Sequence, residues 1–358
     1  MEYKTIIITG GAGFIGSSLI KKLVKTRANN IINIDKITYA GNLDTISKLE
    51  KQENYFFEQV DICDEIKIRD IINKYKPSNI IHLAAESHVD NSIDNPYNFL
   101  STNILGTYNL LNICLQYWTS LDKEQKQNFL FHHVSTDEVF GSLLKSENPF
   151  DELSSYNPSS PYSASKASAD HLVRAWGKTF KLPYIITHSS NNYGPFQLPE
   201  KLIPLTIIKI IMNEKIPIFG DGKQIRDWIH VEDHVNALIN VLEKGKPGMT
   251  YNIGANNERS NLEVVELLCE IIDKEFFEYK VEPKKNSKDL ISFVDDRPAH
   301  DIRYSLDTSK IYNELNWQAN TEFKQGLINT VQWYLENKEW WTQIIKKNKK
   351  LTERKGRI

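Results

Sequence analysis

Cysteine is scarce in this chain, with three among 358 residues, Cys63, Cys114 and Cys269. They are scattered, odd in number and form no Cys-x-x-Cys. Neither a disulfide framework nor a zinc site is expected, and a reducing cytoplasm is the expected compartment. Excess charge is missing too. A net charge of −2 gives no electrostatic case for nucleic-acid binding. No apolar run is long enough for a bilayer. The longest, residues 202–212, contains Lys209 and falls short of the ~20 residues a spanning helix needs. Met1-Glu2-Tyr3-Lys4 leads straight into a strand pattern, so no signal peptide is read there, and the chain reads as soluble. No solenoid-type repeat is visible. What remains is ordinary globular composition, 40% apolar and 25% charged. The length suits one large domain or two interleaved ones.

Thr5-Ile6-Ile7-Ile8-Thr9 reads as a strand covered on both faces. Gly10-Gly11-Ala12-Gly13-Phe14-Ile15-Gly16 follows, ahead of a helix over 17–25. Glycines there permit a tight turn and close approach to a pyrophosphate, which a helix N-terminus attracts. The next strand, 30–34, ends in Asp35, about 20 residues further on, where an acid binds ribose hydroxyls and repels a 2′-phosphate. NAD is therefore expected rather than NADP. Strands at 55–60, 79–83, 129–134 and 184–188 alternate with helices at 65–75, 96–117 and 161–180. That alternation predicts an α/β fold with a Rossmann-like, doubly wound parallel sheet. Residues 119–128 read as a polar surface loop. After Ser189, turn formers and charged loops predict a smaller α/β substrate-binding portion over the carboxyl edge of the sheet. The expected division is 1–190 for the dinucleotide, with 227–252 returning to it. Residues 191–226 and 253–342 would hold the substrate, and 343–358 form a basic tail whose charge run, 346–357, reads as solvated.

The chemistry gathers between Ser135 and Lys166. Tyr162 and Lys166 are four apart ahead of a helical pattern, so they share a face, with the ammonium beside the phenol. A nearby cation favours the phenolate, which can take a proton from a sugar hydroxyl. Thr136-Asp137-Glu138 follows an apolar strand pattern, where a parallel sheet presents its ligands. Two close carboxyls push their pKa values apart, so one can be acid while the other is base. Adjacent residues of a strand point to opposite faces. Both acids therefore reach one pocket only if the strand has ended at Asp137. His82, His88, His132 and His133 lack a cysteine or carboxylate at ligand spacing and read as structural, so no metal is expected. Trp333, Tyr334, Trp340 and Trp341 read as the packing face of a C-terminal helix.

The glycine loop, the Tyr-x-x-x-Lys and their order resemble the extended short-chain dehydrogenase/reductase family. Within it, several blocks are similar to the nucleoside-diphosphate-glucose 4,6-dehydratases, above all those acting on dTDP-glucose. They are His82-Leu83-Ala84-Ala85-Glu86-Ser87-His88-Val89-Asp90, Ser135-Thr136-Asp137-Glu138-Val139 and Pro161-Tyr162-Ser163-Ala164-Ser165-Lys166. With them go Ser190-Asn191-Asn192-Tyr193-Gly194-Pro195, Pro199-Glu200-Lys201-Leu202-Ile203-Pro204 and Arg226-Asp227-Trp228. The Thr-Asp-Glu triplet is the discriminating signal.

The resemblance implies oxidation at C4 with NAD, loss of water across C5 and C6, and hydride return to C6. Tyr162 would be the base for O4, Glu138 the base at C5 and Asp137 the acid at C6, with Thr136 holding O4 and Lys166 supporting Tyr162. It further implies NAD contacts from Gly10, Gly13, Phe14, Ile15, Gly16, Asp35, Lys36, Asp61, Ile62, Leu83, Ala84, Ala85, Thr102 and Asn192. The nucleotide-sugar would meet Ser87, Asn191, Lys201, Leu202, Pro217, Phe219, Arg226, Asn261, Arg297 and His300. Phe219 stands where a tyrosine is frequent, Ala299 replaces a common glycine, and Phe140 replaces a tyrosine. UDP-glucose is the alternative substrate. A 4-epimerase, which needs neither Asp137 nor Glu138, and a non-catalytic NAD-binding protein are the alternative functions. The resemblance also implies a homodimer through helices 96–117 and 161–180, a C₂ pairing.

Overall fold

The computed structural model describes residues 4–27 and 29–347. Seven parallel strands form one sheet in the order β10-β6-β5-β4-β1-β2-β3. They are β1 Lys4–Thr9, β2 Asn29–Ile34, β3 Tyr55–Glu58, β4 Asn79–His82, β5 Leu130–Thr136, β6 Tyr184–Ser189 and β10 Thr250–Ile253. β-Branched residues at successive positions, such as Ile6, Ile7 and Ile8, are buried to 2% exposure or less because helices cover both faces. The strand order reverses between β1 and β4, which opens a crevice at the carboxyl edge.

Helix limits follow local chemistry. Asp64 caps Glu65–Tyr75 by accepting from the Lys67 amide. Ser160 and Ser163 cap Pro161–Phe180 reciprocally, with Pro161 in its first turn, and Lys181 closes it in the left-handed region. The expected helix at 96–117 runs through Pro96–Phe99 and Thr107–Ser120, joined by a π-helical stretch, Leu100–Gly106. The expected loop at 119–128 instead contains the helix Lys123–Asn128. Asp122 and Gln125 form its capping box, a start signal that the polar composition concealed. The strand expected at 129–134 continues through Thr136, and the one expected at 55–60 stops at Glu58.

Beyond Ser189, β7 Asn191–Tyr193, β9 Ile225–His230 and β11 Glu258–Ser260 form a three-stranded sheet. β8 Ile216–Phe219 and β12 Ile291–Val294 form a parallel pair. Ile203, Ile207, Trp228, Val264, Leu268, Leu327 and Tyr334 build a second core there. The helix Val231–Lys244 places Val235, Leu238 and Val241 on the first core. Ile311, Leu315 and Trp317 join that same core, although sequence grouped them with the second portion. The spacing of three apolar residues does not show which sheet they will meet. Trp333, Trp340 and Phe196 meet in tilted and edge-to-face contacts, and Tyr334 and Trp341 are buried beside them. Residues 343–347 belong to the helix Lys338–Lys347, and 348–358 of the basic tail lie outside the described residues. No helix among the described residues is long and apolar enough to cross a membrane.

Candidate functional site

A cleft opens at the strand-order reversal, and the glycine turn after β1 forms its floor. Gly10 has φ of 75°, and a Cβ there would lie 2.7 Å from the Ala84 nitrogen. At Gly16 a Cβ would lie 2.2 Å from the Gly10 carbonyl oxygen. The helix Phe14–Thr26 starts after Gly13 without a side-chain cap, leaving its N-terminus open to an anion. Asp35 Oδ2 accepts from the Ala12 amide at 3.0 Å and Oδ1 from the Ile37 amide at 2.8 Å. Burial pushes this carboxyl up, and those two bonds oppose the push. Lys36 pairs with Asp61 at 3.4 Å and donates to Thr102 Oγ1 at 3.1 Å. Gly10, Gly13, Phe14, Ile15, Gly16, Asp35, Lys36, Asp61, Ile62, Leu83, Ala84, Ala85, Thr102 and Asn192 all line the cleft. This cradle fits a dinucleotide: no side chain fills the turn, and an acid stands at the end of β2.

On the other wall, β5 ends at Thr136 and a single 3₁₀ turn, Asp137–Phe140, begins. Thr136 Oγ1 accepts from the Glu138 amide at 3.3 Å and donates to Asp137 Oδ1 at 3.2 Å. The strand has therefore ended where it must, and both acids line the same cleft. Asp137 is 2% exposed, and its Oδ2 has no hydrogen-bond partner among the described residues. Burial first, then the charge of Glu138, holds its carboxyl well above the usual range. Burial raises Glu138 as well, against the pull of Arg297, Arg226 and Lys201.

Tyr162 and Lys166 share the inward face of the helix Pro161–Phe180 and line the cleft. Burial and then Glu138 push the Tyr162 phenol up, while Thr136 favours the phenolate. Burial lowers the Lys166 ammonium to about 8, with Asp170 opposing. Its Nζ donates to the Val134 carbonyl at 2.9 Å, so the anchor of this cation is the strand rather than the phenol that its spacing suggested.

Of the expected sugar-nucleotide residues, Ser87, Asn191, Lys201 and Thr136 line the cleft. Leu202, Pro217, Phe219, Arg226, Asn261, Arg297 and His300 stand outside that lining, in the second portion. Leu202 opens the helix Leu202–Ile211, Asn261 opens Asn261–Glu275, and Pro217 pairs with Ser292 in the small sheet. Arg226 is 4% exposed on β9, donates to the Asp301 carbonyl at 3.0 Å and sits 4.3 Å from the Tyr304 ring centroid. Arg297 pairs with Asp90 at 3.5 Å. His300 bonds Asp296 at 2.6 Å and meets Phe219 edge-on, and burial lowers its imidazole to about 4. Both arginines reach Glu138 through charge.

Sequence reasoning passed over Asn103. It is 1% exposed in the π-helical stretch, exchanges two hydrogen bonds with the Glu86 backbone and donates to Ser165 Oγ at 2.8 Å. A polar residue inside an apolar helix pattern was the available signal. The four histidines each have a protein partner: His82 lies between Thr9 and Thr107, His132 meets Thr187, His133 faces Asp170, and His88 caps Val89–Asp94.

The family model for GDP-mannose 4,6 dehydratase matches residues 7–330. The chain is 50% identical over 348 residues to a dTDP-glucose 4,6-dehydratase of Escherichia coli, covering 95% of this chain and 96% of that one. It is 54% identical over 332 residues to the same enzyme of Haemophilus influenzae, with 93% and 98% covered. The crystal structure of dTDP-glucose 4,6-dehydratase from Bacillus anthracis in complex with NAD superposes with a TM-score of 0.84. Identity there is 40%, covering 95% of this chain and 99% of that one. A UDP-glucose 4-epimerase of Thermotoga maritima shares the fold at TM-score 0.80 and 27% identity, covering 93% and 99%. The chain belongs to the extended short-chain dehydrogenases/reductases, in the dTDP-glucose 4,6-dehydratase family.

Proposed function

We infer that this protein is a hydro-lyase that converts dTDP-glucose to dTDP-4-keto-6-deoxy-glucose with NAD as its resident cofactor. The observation that carries the reading is the adjacent carboxyls of Asp137, buried, and Glu138, half-buried, in the same cleft as Tyr162 and Lys166. An epimerase has no use for two carboxyls held there. The parallel-sheet half holds the dinucleotide through the glycine turn, Asp35, Lys36, Asp61, Ile62, Leu83, Ala84, Ala85, Thr102 and Asn192. When bound, NAD supplies a reversible two-electron acceptor for the sugar. The smaller half holds the nucleotide, with Arg226 and Arg297 offering the forked donors a diphosphate needs.

Tyr162 takes the O4 proton. Its phenol is held neutral by burial and the nearby acids, while the Thr136 hydroxyl favours the phenolate. A 4-keto group makes the C5 hydrogen acidic, and Glu138 removes that proton. Asp137, held in its protonated form, gives its proton to the C6 hydroxyl, which leaves as water. Thr136 orients this set by bonding the Glu138 amide and the Asp137 carboxyl.

Product analysis with dTDP-glucose and UDP-glucose side by side tests the reading. Loss of one water from the dTDP sugar is expected, and recovery of a C4 epimer without water loss would reject it. We further propose a cytoplasmic enzyme, supported by three free thiols, and a homodimer. Tyr97, Leu100, Leu105, Tyr108 and Phe180 remain exposed on the two helices of the expected seam, while Leu111 is spent inside the monomer. A fully active monomer in light scattering would count the dimer out.

A further inference from the structure

We propose that Asp170 is a positioning residue for the reaction: it supplies the buried counter-charge of Lys166 and ties down the strand end that presents Thr136, Asp137 and Glu138. The proposal rests on the dehydratase reading of the cleft. Tyr162, Lys166 and Asp170 follow one another at four-residue steps along the helix Pro161–Phe180, so they share one face. Tyr162 and Lys166 line the cleft; Asp170 lies behind them, fully buried. Its Oδ2 accepts from Ser135 Oγ at 3.0 Å and from the Tyr156 hydroxyl at 2.8 Å, and lies 3.0 Å from His188 Nε2. Its Oδ1 lies 3.1 Å from His133 Nε2.

A surface aspartate used only to cap or solubilise a helix gathers no such set. An ionised carboxylate withdrawn from water is costly unless several donors meet it. Here burial would raise the carboxyl, but His133 and His188 hold it well below the usual range, so the charge persists. That charge has two places to act. Ser135 is the residue before Thr136, and Lys166 Nζ is bonded to the carbonyl of Val134, the residue before Ser135. Lys166 is itself buried, and burial lowers its ammonium to about 8 with Asp170 acting against that shift.

The groups facing this pair from each neighbouring element are these. β5 brings His133 and β6 brings His188, while β4 brings His82, which feels the Lys166 charge. The loop before the helix brings Tyr156, bonded in turn to Arg174 at 2.9 Å. The 3₁₀ turn brings Asp137 and Glu138. The short helix Val89–Asp94 packs on the same helix with its Asp90 engaged by Arg297, and the π-helical stretch brings the uncharged Thr102 and Asn103. Asp170 is the anion of this set that directly opposes the discharge of Lys166.

Loss of the negative charge makes the ammonium harder to keep, so the high-pH limb of kcat must move to lower pH. The test compares parent, Asp170→Asn, Asp170→Glu and Ser135→Ala enzymes, each loaded with NAD, in dTDP-glucose dehydration from pH 6 to 10. Asp170→Asn is expected to lower kcat by about 10²-fold. It should also move the high-pH limb down by about one unit, with KM and NAD content within a few-fold of parent. Asp170→Glu is expected to restore the limb. Ser135→Ala keeps the charge and loses the tie, so it is expected to lower kcat about tenfold with the limb unmoved. A parent that dehydrates, with Asp170→Asn sharing its profile and kcat, overturns the proposal and leaves the function standing. A parent that does not dehydrate overturns the function and the proposal with it. If Asp170→Asn does not fold, Ser135→Ala decides alone, and parental kcat there overturns the proposal.

Discussion

The two walls of the cleft are assembled differently. On the β1–β2 side, most candidates sit within a few residues of a strand end: the glycine turn after β1, Asp35 and Lys36 after β2, Leu83 to Ser87 after β4. On the opposite side, the charge around Glu138 comes from Lys201, Arg226 and Arg297, which belong to a helix start, a strand of another sheet and an irregular loop. The first wall is shaped by backbone, where a single Cβ is enough to spoil it. The second is shaped by charge acting at a distance, and it tolerates change in steps. The lesson is that a dinucleotide cradle can be written in a short motif, whereas the tuning of an acid–base pair needs the whole chain.

The sharpest break in this comparison is the double variant Asp137→Asn with Glu138→Gln. Each positioned acid or base contributes about 10²–10⁴-fold, so water loss should fall at least 10⁴-fold while C4 oxidation survives. Stopped-flow absorbance of the reduced cofactor reads the oxidation, and a double variant that forms the 4-keto-6-deoxy sugar at parental rate would sink the assignment. Next is Gly16→Ala, which places a methyl 2.2 Å from the Gly10 oxygen. The purified protein should lose its NAD, with affinity down about 100-fold or more, since ~2.7 kcal/mol corresponds to that ratio. Retention of parental NAD content would refute the close-approach argument.

Arg297→Met should touch only the charged wall. It should raise KM for the nucleotide-sugar about tenfold by removing one charged contact and leave NAD content unchanged. The cation lowers the Glu138 carboxyl, so its loss raises that carboxyl and the low-pH limb moves to higher pH. An unmoved limb would separate Arg297 from Glu138.

The buried imidazoles give a stability test. His132, His133 and His234 are lowered by burial to about 3, about 4 and about 3. A depressed folded value means that the unfolded chain binds the proton first. Stability is therefore complete above pH ~6.5 and lost on acidification, by about 1.4 kcal/mol per histidine per pH unit. Urea midpoints at pH 7.5 and 5.5 check the sign; equal midpoints would exclude it. The smallest effect belongs to Ala299, which holds φ of 51° in the loop between Arg297 and His300. Ala299→Gly should stabilise by at most ~1 kcal/mol, the left-handed strain less the added chain entropy, and a lower melting temperature would contradict it.

Local signals decided most of the parallel sheet. Runs such as Thr5-Ile6-Ile7-Ile8-Thr9, the glycine turn, Asp35 and the Ser160–Pro161 helix start each carry their geometry in a few neighbouring residues. Tyr162 and Lys166 were placed on one face by helical period alone. The sequence also showed what Asp137 and Glu138 could do, and what condition had to hold for both to act. It could not show that the condition holds, because the end of β5 is set by its pairing with β6 at Thr136 and Ser189. Nor could it find the partner of Lys166, the burial of Asn103 or the sheet that Ile311 and Trp317 cover. Those are decided by contacts between segments far apart in the chain, and burial, which moves the pKa values of Asp35, Asp137, Glu138, Tyr162 and Lys166, exists only once those segments have packed.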